Sequence, residues 1–202
     1  MKFPFFASFI VFIIWLTYEL AKHKRMDAEI ERAFWEKERQ ANNTRRQPLD
    51  DLEYITIPFE QLPVDLLADD EQVADYLRTL KFISESPIVN FTGITNTDLK
   101  LQYGAPNIDL LTRYDQNYTT LVRTLNQWAS YLYDKGFSKE AKGILEFAIS
   151  TRSDVSGSYK LLCKIYNEEN TPDKIKELYP IAESLNSVMK NTIVRILQEA
   201  EK

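Results

Sequence analysis

Few side chains in this chain can do chemistry by type and spacing. His23 is the only histidine and Cys163 the only cysteine. A Ser-His-Asp arrangement needs an imidazole as its base, and a structural zinc needs a full set of Cys and His ligands. One of each assembles neither. Cys163 therefore reads as a small core residue, and a single cysteine, which forms no intrachain disulfide, fits a reducing compartment. Neither GxGxxG nor GxxxxGK[ST], the patterns whose backbone N–H groups cradle phosphates, occurs. Asp50-Asp51 and Asp69-Asp70 are paired carboxylates. Two carboxylates flanking a bond can run a hydrolysis, and the turn-rich segment 90–107 is where such a site would be sought. Capping and solvation explain the pairs more simply. The expectation is a protein without catalytic residues, metal or cofactor, and not an enzyme.

The elements around these residues are legible from hydropathy. The run FPFFASFIVFIIWLTY from Phe3 to Tyr18 is followed by Lys22-His23-Lys24-Arg25. As a helix, Phe3 to Ala21 covers about 28 Å, close to the roughly 30 Å hydrocarbon core of a bilayer. Trp15 and Tyr18 fall at the end where amphipathic rings favour an interface. A cleaved leader would need a basic start and small residues at a cleavage site; Lys2 is the only basic side chain before the run, and no A-x-A-like site follows it. The expectation is a retained single-pass anchor, with the lipid bilayer as partner of residues 3–21. Lys22, Lys24 and Arg25 outweigh Lys2, so the N-terminus is expected outside and the C-terminal domain in the cytoplasm. In that placement the N-x-[ST] triplets at Asn42, Asn90 and Asn117 are chance matches.

The chain has 25 basic and 30 acidic residues, a net charge of −5. Most of the first basic residues sit beside the apolar run, so the rest is more acidic still. Phosphate neutralisation needs clustered Lys and Arg, so no nucleic-acid partner is expected. Four segments follow: the anchor and basic flank at 1–25, a charged helical stalk at 26–43, an extended strap at 44–68, and a helical domain at 69–202. The stalk carries a short stripe of Ile30, Ala33, Phe34 and Ala41. In the strap, Pro48, Pro58 and Pro63 forbid a regular helix, while Leu49, Leu52, Ile55, Ile57 and Phe59 give it apolar groups to dock. Tyr54 to Ile57 reads as a short edge strand. Asp69 or Asp70 caps a helix over about 70–84 with Val73, Tyr76, Leu77, Leu80 and Ile83 on one face. Thr95 or Thr97 caps a short turn within 90–107, otherwise read as a packed connector.

From Asp109 onward every segment has helical period, broken near Gly136, near 153–158 and at Asn170-Thr171-Pro172. Ser138 and Thr171 read as N-caps. Two 34-residue frames align. In the first, Leu125, Trp128, Ala129 and Leu132 lie on one helix and Ala141, Leu145 and Ala148 on the next. In the second, Tyr159, Leu162, Cys163 and Tyr166 precede Tyr179 and Ala182. This pattern resembles the tetratricopeptide (TPR) repeat. Ile175 stands where a small residue is usual, and Pro180 should kink its helix. A closing helix over 191–200 turns Ile193, Ile196 and Leu197 inward. The plan of anchor, stalk and helical body also resembles membrane proteins of Gram-positive anaerobes to which no function is assigned. The fold expected is all-α, a TPR-like α-hairpin array behind a transmembrane helix.

The resemblance implies a groove, lined by the inner helices, that binds a protein or peptide partner. Tyr118, Thr124, Gln127 and Tyr131 lie off the inferred packing positions and are the partner-binding candidates. The function expected is a membrane-tethered scaffold or adaptor. The alternatives are a self-assembling structural protein and a carboxylate enzyme using the 90–107 loop.

Overall fold

The computed structural model describes residues 4–201, with side chains from Ser8 onward. It is all-helical. Among the described residues there is no strand, only an isolated antiparallel bridge between Tyr54 and Val89. That bridge is what remains of the expected edge strand. The chain forms two compact units: one runs through Gln47 and takes in Thr95–Ile108, and the other comprises Pro48–Ile94 and Asp109–Lys202.

In the first unit α1 (Pro4–Asn42) runs unbroken through both the expected anchor and the expected stalk. Neither Gly nor an internal Pro interrupts it, and Ala, Glu, Lys and Arg favour the helix. The expected single-pass placement, with an outside N-terminus and a cytoplasmic C-terminal domain, does not stand. Among the described residues no helix is long and apolar enough to cross a membrane. Phe3 lies outside the described residues, and so do the side chains of residues 4–7. Within α1 the uncharged stretch from Pro4 ends at Glu19, about 22 Å of helix against a core of roughly 30 Å. Glu19 then faces Lys22 and His23 at 3.8 and 3.6 Å.

The C-terminal turns of α1 pack against α3 (Asn96–Tyr103), capped by Thr95. Ala41 and Leu99 are buried. Around them Lys37 meets Asp98 at 2.7 Å, and Lys100 meets Glu38 at 2.6 Å and Asn42 at 2.8 Å. Gly104 follows with φ +91, and a Cβ there would lie 2.2 Å from the Arg45 carbonyl oxygen. Buried Asn107 donates to the carbonyls of Gln47 and Tyr103 and accepts from Arg46 Nε.

In the second unit the proline-rich segment buries Leu52, Ile57 and Leu62, and the last two join the helical core. Next comes α2 (Glu71–Ser84), where Asp70 accepts from the backbone N–H groups of Gln72 and Val73. That satisfies donors a helix start leaves free. Then follow α4 (Ile108–Asp134), α5 (Ser138–Ser150), α6 (Ser156–Glu168), α7 (Asp173–Lys176), α8 (Tyr179–Ser184) and α9 (Lys190–Ala200). Two expected caps are different. Ser138 is the first residue of α5 and makes no cap bond. Thr171 donates its hydroxyl back to the Tyr166 carbonyl at 3.2 Å, closing α6 instead of opening α7. Pro180 lies in the first turn of α8, and the helix it would have interrupted is split into α7 and α8.

α4 and α6 end by the same device. Gly136 (φ +90) and Asn170 (φ +56) take the left-handed position that closes a helix. The N–H of Phe137 reaches the Leu132 carbonyl and that of Thr171 reaches Tyr166. The core holds Leu125, Trp128, Ala129 and Leu132 of α4, Ala141, Leu145 and Ala148 of α5, and Tyr159, Leu162 and Cys163 of α6.

Candidate binding groove

Three helices of the second unit lie side by side in the same direction, and named hydrogen bonds set their register. Ser158 Oγ meets Asn126 Oδ1 at 3.1 Å, near the start of α6 and midway along α4. Tyr133 donates its hydroxyl to Glu168 at 2.6 Å, where both helices end. Asn167 donates to the Ala200 carbonyl at 2.9 Å, at the ends of α6 and α9. Gly157 lets α6 approach α4: a Cβ there would already lie 3.1 Å from Asn126 Oδ1.

Between these helices runs a groove of about 1010 Å³. Ser130, Tyr133 and Asp134 form the α4 wall, and Gly157, Lys160, Leu161, Lys164 and Glu168 the floor. Thr192, Arg195, Ile196 and Glu199 form the α9 wall. Leu161 and Ile196 are half-buried, an apolar centre within a charged border. The Lys164 ammonium sits 4.7 Å from the centre of the Tyr133 ring. Its contact with Tyr133 and the nearby Glu168 and Asp134 hold its pKa above the usual lysine value, so it stays cationic. Lys160 is exposed and makes no ion pair with a described residue. Cys163 also borders the groove, but burial pushes its thiol up to about 11. A thiol that high holds almost no thiolate at neutral pH and is a poor nucleophile.

None of the four sequence candidates lines this groove. Tyr118 is buried, accepts from Asn90 Nδ2 at 2.9 Å and donates to the Thr151 carbonyl at 3.2 Å. Burial pushes its phenol up to about 12. Thr124 is buried as well. Gln127 is exposed. Tyr131 is half-buried and donates to Asp70 at 2.7 Å, beside an open acidic hollow formed with Glu71 and Asp75. The groove residues that sequence reasoning missed carry one signal. Leu161 is apolar but falls off the repeat's packing positions and follows the charged Lys160, whereas Ile196 is expected inward with Ile193 and Leu197 and instead borders the groove.

The 90–107 loop does not form one site. Residues through Ile94 belong to the second unit, and those from Thr95 belong to the first. Among the described residues no group of His, Cys, Asp or Glu is placed to hold a metal ion. No protein-family model, curated protein or solved structure matches the chain.

Proposed function

We propose that the second unit is a TPR-like α-hairpin array and that the groove between α4, α6 and α9 holds a segment of a protein partner, making the protein a scaffold or adaptor. The observation that carries this reading is the repeat register. Hydrogen bonds between neighbouring inner helices join residues 32, 35 and 33 apart in sequence. The helix-ending residues Gly136 and Asn170 recur at the same interval. Stacked helix pairs of this kind expose their inner helices along one face. A concave, partly apolar face with polar groups at its border suits a peptide. A photo-crosslinking residue in place of Leu161, in the full chain in its own cell, tests it. A discrete adduct is expected that Ile196→Asp abolishes and Phe82→Asp, on an exposed site of α2, does not. No adduct, or one indifferent to Ile196→Asp, refutes the reading.

Self-assembly is the second reading, and one observation favours it. In the first unit Ile30, Phe34 and Trp35 of α1 are each more than half exposed. Surface aromatics grouped in this way mark interaction sites. Sedimentation of the full chain across concentration tests it: a monomer throughout removes it.

A further inference from the structure

The groove is not uniformly charged; its charges are sorted by sign along its length. Because Asn126 pairs with Ser158, Tyr133 with Glu168 and Asn167 with Ala200, residues on the three helices can be placed level with one another. Gly157, Lys160 and Thr192 stand at one end. Leu161, Ile196, Arg195 and Lys164 stand in the middle. Asp134, Glu168 and Glu199 stand at the other end. On α6 and on α9 alike, a cation is followed one turn later by a carboxylate (Lys164 then Glu168, Arg195 then Glu199). The internal pairing does not erase this order. Lys160 has no ion-pair partner among the described residues, and Arg195 and Glu199 approach only to 4.0 Å with both side chains about two-thirds exposed. Loose exposed pairs of that kind contribute little. The helices reinforce the order. α6 and α9 both start at the Lys160 end, so their positive ends lie there, and α4, α6 and α9 all end toward Asp134 and Glu199, where their negative ends lie.

We propose that the occupant is an extended peptide segment whose own charges are segregated: carboxylates at one end, amines or guanidinium groups at the other, and an apolar side chain between them seated on Leu161 and Ile196. From Gly157 to Glu168 the floor is about 17 Å long at 1.5 Å per residue, room for roughly five extended residues at 3.3 Å each. The carboxylates of the segment meet Lys160 at the end and Arg195 next along the same half of the groove, and its cations meet Asp134, Glu168 and Glu199. A segment of one sign throughout gains at one end and is repelled at the other. Sorted charge therefore sets both which segment binds and which way round it lies. The inference rests on the proposed peptide-binding function.

The test is selection of random heptapeptides displayed against the immobilised full chain. The expected winners carry Asp or Glu at one end, an apolar centre and Lys or Arg at the other. Lys160→Glu with Arg195→Glu should weaken them by about tenfold or more, since attraction becomes repulsion at one end. Both side chains are exposed, so the helical circular-dichroism melt should be unchanged. If the double reversal unfolds, Lys160→Gln alone should give a smaller loss in the same direction. Winners that Ile196→Asp abolishes but that show no charge order overturn this inference and leave peptide binding standing. So does indifference of ordered winners to the Lys160 and Arg195 changes. No peptide dependent on Ile196 overturns both.

Discussion

Single side chains in the second unit show how much depends on satisfying buried polar groups. Asn90 spreads its amide over three oxygens: Tyr118 Oη, the Thr151 carbonyl and the Arg152 carbonyl, at 2.9, 3.0 and 3.2 Å. Asn90→Ala strands these acceptors in a part-buried place and should cost about 1–3 kcal/mol, read by urea unfolding. Asp115 is the opposite case. Burial raises its carboxyl above the ordinary value, although the Phe91 N–H donates to it at 3.3 Å. The folded state then holds its proton more tightly than the unfolded chain. Stability is fullest below the ordinary carboxylate value and falls as pH rises toward the raised one. Asp115→Asn keeps an acceptor without the charge. It should raise the melting temperature at neutral pH and leave it almost unchanged at acid pH; equal effects at both would contradict the assignment. Trp128 is fully buried and its Nε1 has no partner among the described residues. Trp128→Ala should cost about 3–5 kcal/mol. Trp128→Phe should cost less, because it also removes an unpaired N–H.

Among the elements, α2 and α3 depend on carboxylates held below their ordinary range. Asp70 is lowered first by the Tyr131 hydroxyl and then by the N–H groups it caps. In the first unit, Glu38 is lowered first by Lys100 and then by Thr97, and Asp98 first by Lys37 and then by Thr95. A depressed carboxylate contributes stability that is present above the ordinary value and lost as pH falls through the folded one. Hydrogen exchange of α3 should therefore speed up as pH is lowered through the carboxylate range, after correction for the intrinsic rate. Glu38→Gln should remove much of that response. No pH response in the wild-type α3 would show that the Lys100 and Lys37 pairs do not hold it.

For the molecule as a whole, two backbone positions separate the units experimentally. Gly104 in the first unit and Gly93 in the second both have positive φ, and a Cβ at Gly93 would lie 1.8 Å from the Asn186 carbonyl oxygen. Alanine is strained at such a φ and clashes besides. Gly104→Ala should increase exchange in residues 43–47 and 95–107 while leaving 109–202 protected. Gly93→Ala should do the reverse, loosening residues 90–94 and 185–187. If Gly104→Ala loosens α4 to α9 as well, the chain unfolds as one unit.

What residue order determined is local. The period of apolar residues and the breaks at Gly136 and Asn170 announce an all-α chain, because a helix repeats its faces regardless of what covers them. Leu125, Trp128, Ala129 and Leu132 are buried in the interior where that period puts them. Membership of a surface was not local. Tyr118 and Thr124 look free on a helical wheel, yet α4 is covered on several sides and buries them too, Tyr118 against residues near 90 and 151. Conversely, Ile196 is expected inward on α9 but borders the groove, because α6 covers only part of that helix. The membrane-spanning expectation fails for a related reason. It rests on the run up to Ala21, but Glu19 already introduces charge within α1, and no helix among the described residues is long and apolar enough to cross a membrane. Which charges face one another across the groove follows from distances between helices some 33 residues apart. Only the tertiary packing brings them level, because no local rule in a chain measures the space between its segments.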